Sequence, residues 1–116
     1  MLVVVDRRVV EGLVGDRAVT AERVAALSRD LEAIVEAARL VATDDEHDPE
    51  GATIAFERSQ TSAFLADARK HLDDLDSALE RIEAGDYGRC EVCGEPIAAD
   101  RLLARPAART CINCAV

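Results

Sequence analysis

The sequence predicts a mostly α-helical protein: a long antiparallel coiled-coil helical hairpin followed by a small C-terminal module held by cysteines. Three observations carry this reading. Two long stretches repeat apolar residues at alternating three- and four-residue steps, the pattern of helices that bury a narrow seam against each other. Aromatic residues make up only 3% of the chain and tryptophan is absent, so a large globular core is disfavoured while closely packed alanine- and leucine-rich helices are favoured. All four cysteines of the 116 residues lie in the last quarter, in two Cys-x-x-Cys pairs.

Residues 1–19 are read as an N-terminal extension. Its first fifteen residues are rich in valine, with Gly12 and Gly15 as breakers, which fits a strand or hairpin by β-branched content and a frayed extension by position. Both readings stand at this point. The hairpin occupies 20–84. Thr20 is a plausible helix N-cap, after which Val24, Leu27, Leu31, Ile34, Ala38 and Val41 form a seam of about 24 residues, roughly 36 Å of helix. The periodicity stops in an acidic stretch, 44–51, where Pro49 and Gly51 mark a loop. A second seam runs through Ile54, Leu65, Ala68, Leu72, Leu75, Leu79 and Ile82, with Gly85 as the C-cap. Neither stripe can be buried alone, so the two helices fold back on each other. That puts the acidic stretch at the tip and the cysteine module, 85–116, at the base. Lys70 and His71, among Asp67, Asp73, Asp74 and Asp76, read as surface pairing along one helix.

In the module, Cys90 and Cys93 are separated from Cys111 and Cys114 by seventeen residues. Each pair offers a thiolate edge across a tight turn, and two edges complete the tetrahedral Cys₄ shell that Zn²⁺ prefers. The module is therefore zinc-ribbon-like, with one structural Zn²⁺ as its cofactor. A thioredoxin-like redox pair would need a single Cys-x-x-Cys after a strand in a βαβ unit. Zinc deaminases need a third ligand with a nearby Glu and a proline ahead of the cysteines, and no proline precedes Cys90 or Cys111. Four protein ligands leave no open coordination position, so the metal folds the module and no catalytic residue is assigned. Gly94 supplies the left-handed turn after Cys93, Asp100 to Ala104 form a short helix stopped by Pro106, and Leu102, Leu103, Ile97 and Tyr87 are read as the small core.

The net charge of −9 is unevenly placed: Asp44, Asp45, Glu46, Asp48 and Glu50 supply five of the net negative charges. In the module Arg89, Arg101, Arg105 and Arg109 are balanced by Asp86, Glu91, Glu95 and Asp100. A basic face for phosphate neutralisation is lacking, so direct DNA binding is disfavoured. The apolar run Leu2 to Val5 is broken by Asp6, Arg7 and Arg8, so neither a membrane span nor a signal peptide is expected. A cytoplasmic location follows as an expectation. That compartment keeps thiols reduced and again favours metal over disulfides.

The run Gly85-Asp86-Tyr87-Gly88-Arg89-Cys90-Glu91-Val92-Cys93-Gly94-Glu95-Pro96-Ile97, followed by Arg101-Leu102, Arg105-Pro106-Ala107 and the second cysteine pair, resembles the zinc-finger signature of the DksA/TraR family. The resemblance covers 44–116, with the first helix matching only in pattern. It implies a non-enzymatic transcription regulator that binds bacterial RNA polymerase through the secondary channel, with the hairpin tip directed at the active site. On the family's Asp-x-x-Asp-x-Ala tip motif, Asp45 and Asp48 keep both aspartates and put Glu50 in the alanine position; starting from Asp48 instead places Gly51 and Thr53. The first register is preferred, with Asp44 and Glu50 as accessory carboxylates. Some members act with the alarmone ppGpp, but the sequence ends two residues after Cys114, without the C-terminal helix of longer members, which counts against ppGpp as a partner. The alternative is a zinc-ribbon coiled-coil adaptor acting by protein–protein contact without entering the polymerase.

Overall fold

The computed structural model describes residues 5–40 and 49–115. They form α1 (Arg7–Leu40), α2 (Pro49–Ala84) and α3 (Ala99–Ala104). Among the described residues the only β-type pairing is a single antiparallel bridge between Arg89 and Pro96. No helix among them is long and apolar enough to cross a membrane.

Helix α1 starts well before Thr20. Asp6 caps it: its carboxylate accepts the Arg8 N–H at 2.9 Å, and its carbonyl accepts those of Val9 and Val10 at 2.9 and 3.3 Å. The same Arg8 N–H, together with the Arg8 side chain, holds the Asp6 carboxyl below the usual carboxylate range. Gly12 and Gly15 do not break the helix, and Thr20 lies buried within it rather than capping it. The physical reason is burial. Val5, Val9 and Leu13 continue the three-four stripe backwards from Thr20 and Val24, and Leu13 is almost fully enclosed. The two glycines sit where an added Cβ would meet nothing within 4 Å. Their weak helix propensity, about 1 kcal/mol each, is outweighed by the burial of the opposite face. Gly15→Ala is therefore expected to stabilise the protein by about 0.5–1 kcal/mol, measurable as a higher denaturant midpoint with unchanged slope.

Helix α2 begins at Pro49, so Glu50 and Gly51 are helical rather than part of the loop read from the sequence. Proline fits the first helical position, where its missing N–H has no partner to lose. The far end of α2 agrees with the sequence reading. Gly85 takes a φ of 80°, the Gly85 N–H donates to the Ile82 carbonyl at 3.2 Å, and the Asp86 N–H donates to the Arg81 carbonyl at 2.8 Å. This is the paired bonding of a Schellman cap, and it turns the chain out of α2 into the cysteine module.

The chain divides into two compact units whose boundary falls inside both long helices. In one unit, residues 20–40 of α1 and 49–70 of α2 present their stripes: Thr20, Leu65 and Ala68 are buried, and Val24, Leu27, Leu31, Ile34, Ala38 and Ile54 are half-buried. Apart from Thr20, these are the seam positions read from the sequence; Val41 lies outside the described residues.

The other unit joins residues 5–19 to 71–115. Its core is Leu13, Leu75, Ala78 and Tyr87, with Val5, Val9, Leu79, Ile82, Leu102 and Ala107 packed against it. Two cross-helix pairs flank this core, Arg17 with Asp76, and His71 Nε2 with Asp16 Oδ2 at 2.9 Å. His71 therefore pairs across to α1 instead of along its own helix. The cysteine module belongs to this unit, so the N-terminal segment packs as part of the base.

Candidate metal centre

The first cysteine pair sits on a tight hairpin. The Cys90 N–H donates to the Glu95 carbonyl at 2.8 Å, the Ile97 N–H to the Gly88 carbonyl at 2.7 Å, and the Gly94 N–H to the Cys90 carbonyl at 3.0 Å. Gly94 adopts a φ of 75°, the left-handed turn that the sequence required after Cys93. The second pair repeats the closing bond without the glycine: the Ala115 N–H donates to the Cys111 carbonyl at 3.0 Å while Ala115 keeps a negative φ.

These two turns bring all four thiols together. The Sγ atoms of Cys90, Cys93, Cys111 and Cys114 lie within 4.8 Å of one another, and Cys93 Sγ is 3.8 Å from Cys111 Sγ. Four sulfurs bound at about 2.3 Å in a tetrahedron stand about 3.8 Å apart, so the spacing fits one zinc ion. The electrostatics point the same way. The backbone N–H groups of Cys93 and Cys111, and then of Val92, draw the Cys90 thiol down to about 6. Cys114 is pushed up to about 12, first by the Cys111 sulfur, then by burial and by Cys93 and Cys90. Cys93 is drawn down by the Glu95 amide, but burial and the Cys90 sulfur leave it raised. The Cys90 thiolate is favoured while Cys93 and Cys114 resist ionising, a conflict that a divalent cation at the centre of the cluster removes. The chain takes one structural Zn²⁺, which Cys90, Cys93, Cys111 and Cys114 would hold.

Around the thiols, Cys90, Ile97 and Cys111 form a second small core that Leu102 joins to the first. Leu103 is not part of it: it is 77% exposed. Neighbouring residues on a helix point about 100° apart, and the single turn of α3 can turn only Leu102 inward. Tyr87, buried in the first core, donates its hydroxyl hydrogen to the Pro106 carbonyl at 2.8 Å. Burial raises the Tyr87 phenol above its ordinary value, against a smaller opposing pull from Arg81.

Arginines fix the segment leading into the second pair, a role that composition alone did not reveal. Arg101 Nε donates to the Thr110 carbonyl at 2.9 Å, and Arg109 Nε donates to Asp74 Oδ1 at 2.8 Å. The sequence signal was only four arginines balanced by four acids, with no indication of which carbonyls and carboxylates they reach.

Of the acidic tip residues, Asp44, Asp45, Glu46 and Asp48 lie outside the described residues, and Glu50 is in the first turn of α2. By connectivity, residues 41–48 join the C-terminal end of α1 to the N-terminal end of α2.

Comparison with known proteins bears on the same residues. Residues 85–116 match the prokaryotic dksA/traR C4-type zinc finger. The chain is 55% identical over 40 residues to the RNA polymerase-binding transcription factor DksA of Caulobacter vibrioides, covering 34% of this chain and 28% of that protein. It is 41% identical over 46 residues to the protein of the same name from Haemophilus influenzae, covering 40% and 32%. The solved structure of transcription factor DksA2 from Pseudomonas aeruginosa aligns at 35% identity over 87% of this chain and 78% of that one, with a TM-score of 0.49. The matched stretches span less than a third of the length of the curated relatives. With the finger matched through both cysteine pairs and the thiols gathered at zinc-binding distance, residues 85–116 are a C4-type zinc finger of the DksA/TraR family.

Proposed function

We propose that this protein is a non-enzymatic transcription regulator that binds bacterial RNA polymerase through the secondary channel, directing the acidic connector between α1 and α2 toward the active site. The observation that carries the reading is the zinc finger itself, matched over 85–116 and shared with relatives named as RNA polymerase-binding transcription factors. Zinc on Cys90, Cys93, Cys111 and Cys114 holds the module, while Asp45 and Asp48, with Asp44 and Glu50, supply oxygen ligands suited to biasing a Mg²⁺-centred site. The helical stretch Thr20 to Leu40 spans about 30 Å, a reach adequate for a narrow channel. The module's balance of four arginines against four acids argues against direct DNA binding.

The test is competition for core RNA polymerase between the zinc-loaded protein and a factor known to occupy the secondary channel. Displacement supports the reading, and simultaneous binding refutes it. In the same assay, changing Asp45 and Asp48 together to lysine is expected to abolish the effect on open-complex lifetime while zinc content and helix content stay at wild-type values. Retained activity would remove the tip from the mechanism.

One observation favours the adaptor reading. Phe56 and Phe64 on α2 are 67% and 45% exposed, apolar area that a partner's surface would cover. Under it, Phe56→Ser with Phe64→Ser would weaken partner binding and the lysine changes at the tip would not.

A further inference from the structure

The second cysteine pair is carried on a segment without regular structure between α3 and the last residues, so something must set its distance from the first pair. The residue placed to do this is Arg109. Its backbone carbonyl accepts the N–H of Glu91, inside the first Cys-x-x-Cys turn, at 2.9 Å. This bond links the two turns directly. Its side chain reaches the other way, to α2: Nε donates to Asp74 Oδ1 at 2.8 Å and Nη2 donates to the Asp73 carbonyl at 3.1 Å. A third contact closes the group, since the Glu91 carboxylate lies 3.9 Å from both the Arg109 and Arg81 guanidinium groups. The Asp74 side chain is only 23% exposed, which limits solvent screening of the pair.

We propose that Arg109 is a positioning residue for the zinc site, and that its grip on Asp74 and the Asp73 carbonyl sets the protein's zinc affinity from the body of α2. The physical basis is preorganisation. Zinc must otherwise bring two separate thiol pairs together on binding, and part of its binding free energy goes into that ordering. With Arg109 anchored, its carbonyl holds the Glu91 N–H, and the Cys90 and Cys111 turns approach each other before the metal arrives. The planar guanidinium is needed because it serves a carboxylate and a carbonyl on the same helix at once; a lysine ammonium keeps the charge without the fork.

This inference rests on the assignment of zinc to the four cysteines, and the experiment separates the two. Zinc is withdrawn from the full-length, zinc-loaded protein by a chromogenic chelator of known affinity, and the zinc dissociation constant is obtained for wild type, R109A, R109K, D74N, the double variant R109A/D74N and the charge control Arg69→Ala. Helix content is recorded on each zinc-loaded sample. R109A and D74N are each expected to weaken zinc binding by about 10- to 100-fold, the range for groups that orient metal ligands. R109K should fall between R109A and wild type, the double variant should be no weaker than R109A, and Arg69→Ala should match wild type. If R109A does not retain its helix content with zinc bound, D74N decides, because it leaves the arginine and the backbone bond in place. Dissociation constants for R109A or D74N within twofold of wild type overturn the proposal, as do additive losses in the double variant. A wild-type protein that takes up no zinc overturns the metal assignment itself.

Discussion

Removing zinc with a chelator should unfold the cysteine module and loosen the start of α1 with it. The free energy at stake is on the order of 10 kcal/mol, the range of structural zinc in small Cys and His modules, and more than enough to decide the state of residues 85–115. Tyr87 provides the readout. It is the only tyrosine and there is no tryptophan, so the intrinsic fluorescence and most of the near-ultraviolet signal come from one buried ring in contact with both the module and α2. On chelation the ring should become solvated and lose its bond to the Pro106 carbonyl. Its phenol, held above the ordinary 10 by burial, should then titrate closer to that value. The sign is clear. A raised phenol pKa in the folded state contributes stability that is complete below the unfolded value and fades as pH climbs through the folded one, so zinc-dependent stability should weaken on the alkaline side, above about 10. Helix signal from the unit made of residues 20–40 and 49–70 should survive. A Tyr87 signal and a melting curve unchanged by chelation would show that the metal does not hold the module.

The second large effect is expected at Leu75. This side chain is 1% exposed and sits between Leu13, Ala78 and Tyr87. Leu75→Ala removes three carbons and leaves a cavity in a core that is small to begin with, a loss of about 2–5 kcal/mol. Leu103→Ala, the same chemical change at a side chain that is 77% exposed, should stay within about 0.5 kcal/mol of wild type. Denaturant melts of the zinc-loaded variants measure both. Similar losses at the two positions would mean that the leucines share a core, as the sequence alone suggested, and that the placement of α3 is wrong.

Much of the fold and of the metal site was legible because it depends on spacing. A Cys-x-x-Cys turn places two thiols on one edge whatever surrounds it, and the three-four repeat from Val24 to Ala38 has no other way to be buried. Gly85 was readable as a cap because the cap needs a positive φ that other residues resist. The rest depended on tertiary burial. Val5, Val9 and Leu13 lie on the same stripe as Val24, but valines interrupted by two glycines read equally well as a strand; only the presence of Leu75 and Ala78 opposite them decides for helix. His71 illustrates the same point for polar groups, with acids nearby along its own helix and its partner Asp16 on the other. Leu102 and Leu103 were equivalent by composition, and the orientation of one helical turn separated them. Arg109 could not be singled out among four arginines, because what distinguishes it is which carbonyl and which carboxylate lie within reach.

The unit that carries the metal is assembled from residues 5–19 and 71–115. The part of it made first on the ribosome therefore finds its partners only after most of the chain has followed. Arg17 meets Asp76 across 59 positions and Asp16 meets His71 across 55, whereas the stretches on either side of residues 41–48 can close from their connection outward. Contacts between distant positions form late because the intervening chain must first be drawn in. Cys114 is synthesised after the other three ligands, so the metal site is complete only once the second cysteine pair has been made. In a cell short of zinc the unit of residues 20–40 and 49–70 would still form, while Leu13 and Leu75 would lose the cover of Tyr87 and stand open to proteases and chaperones.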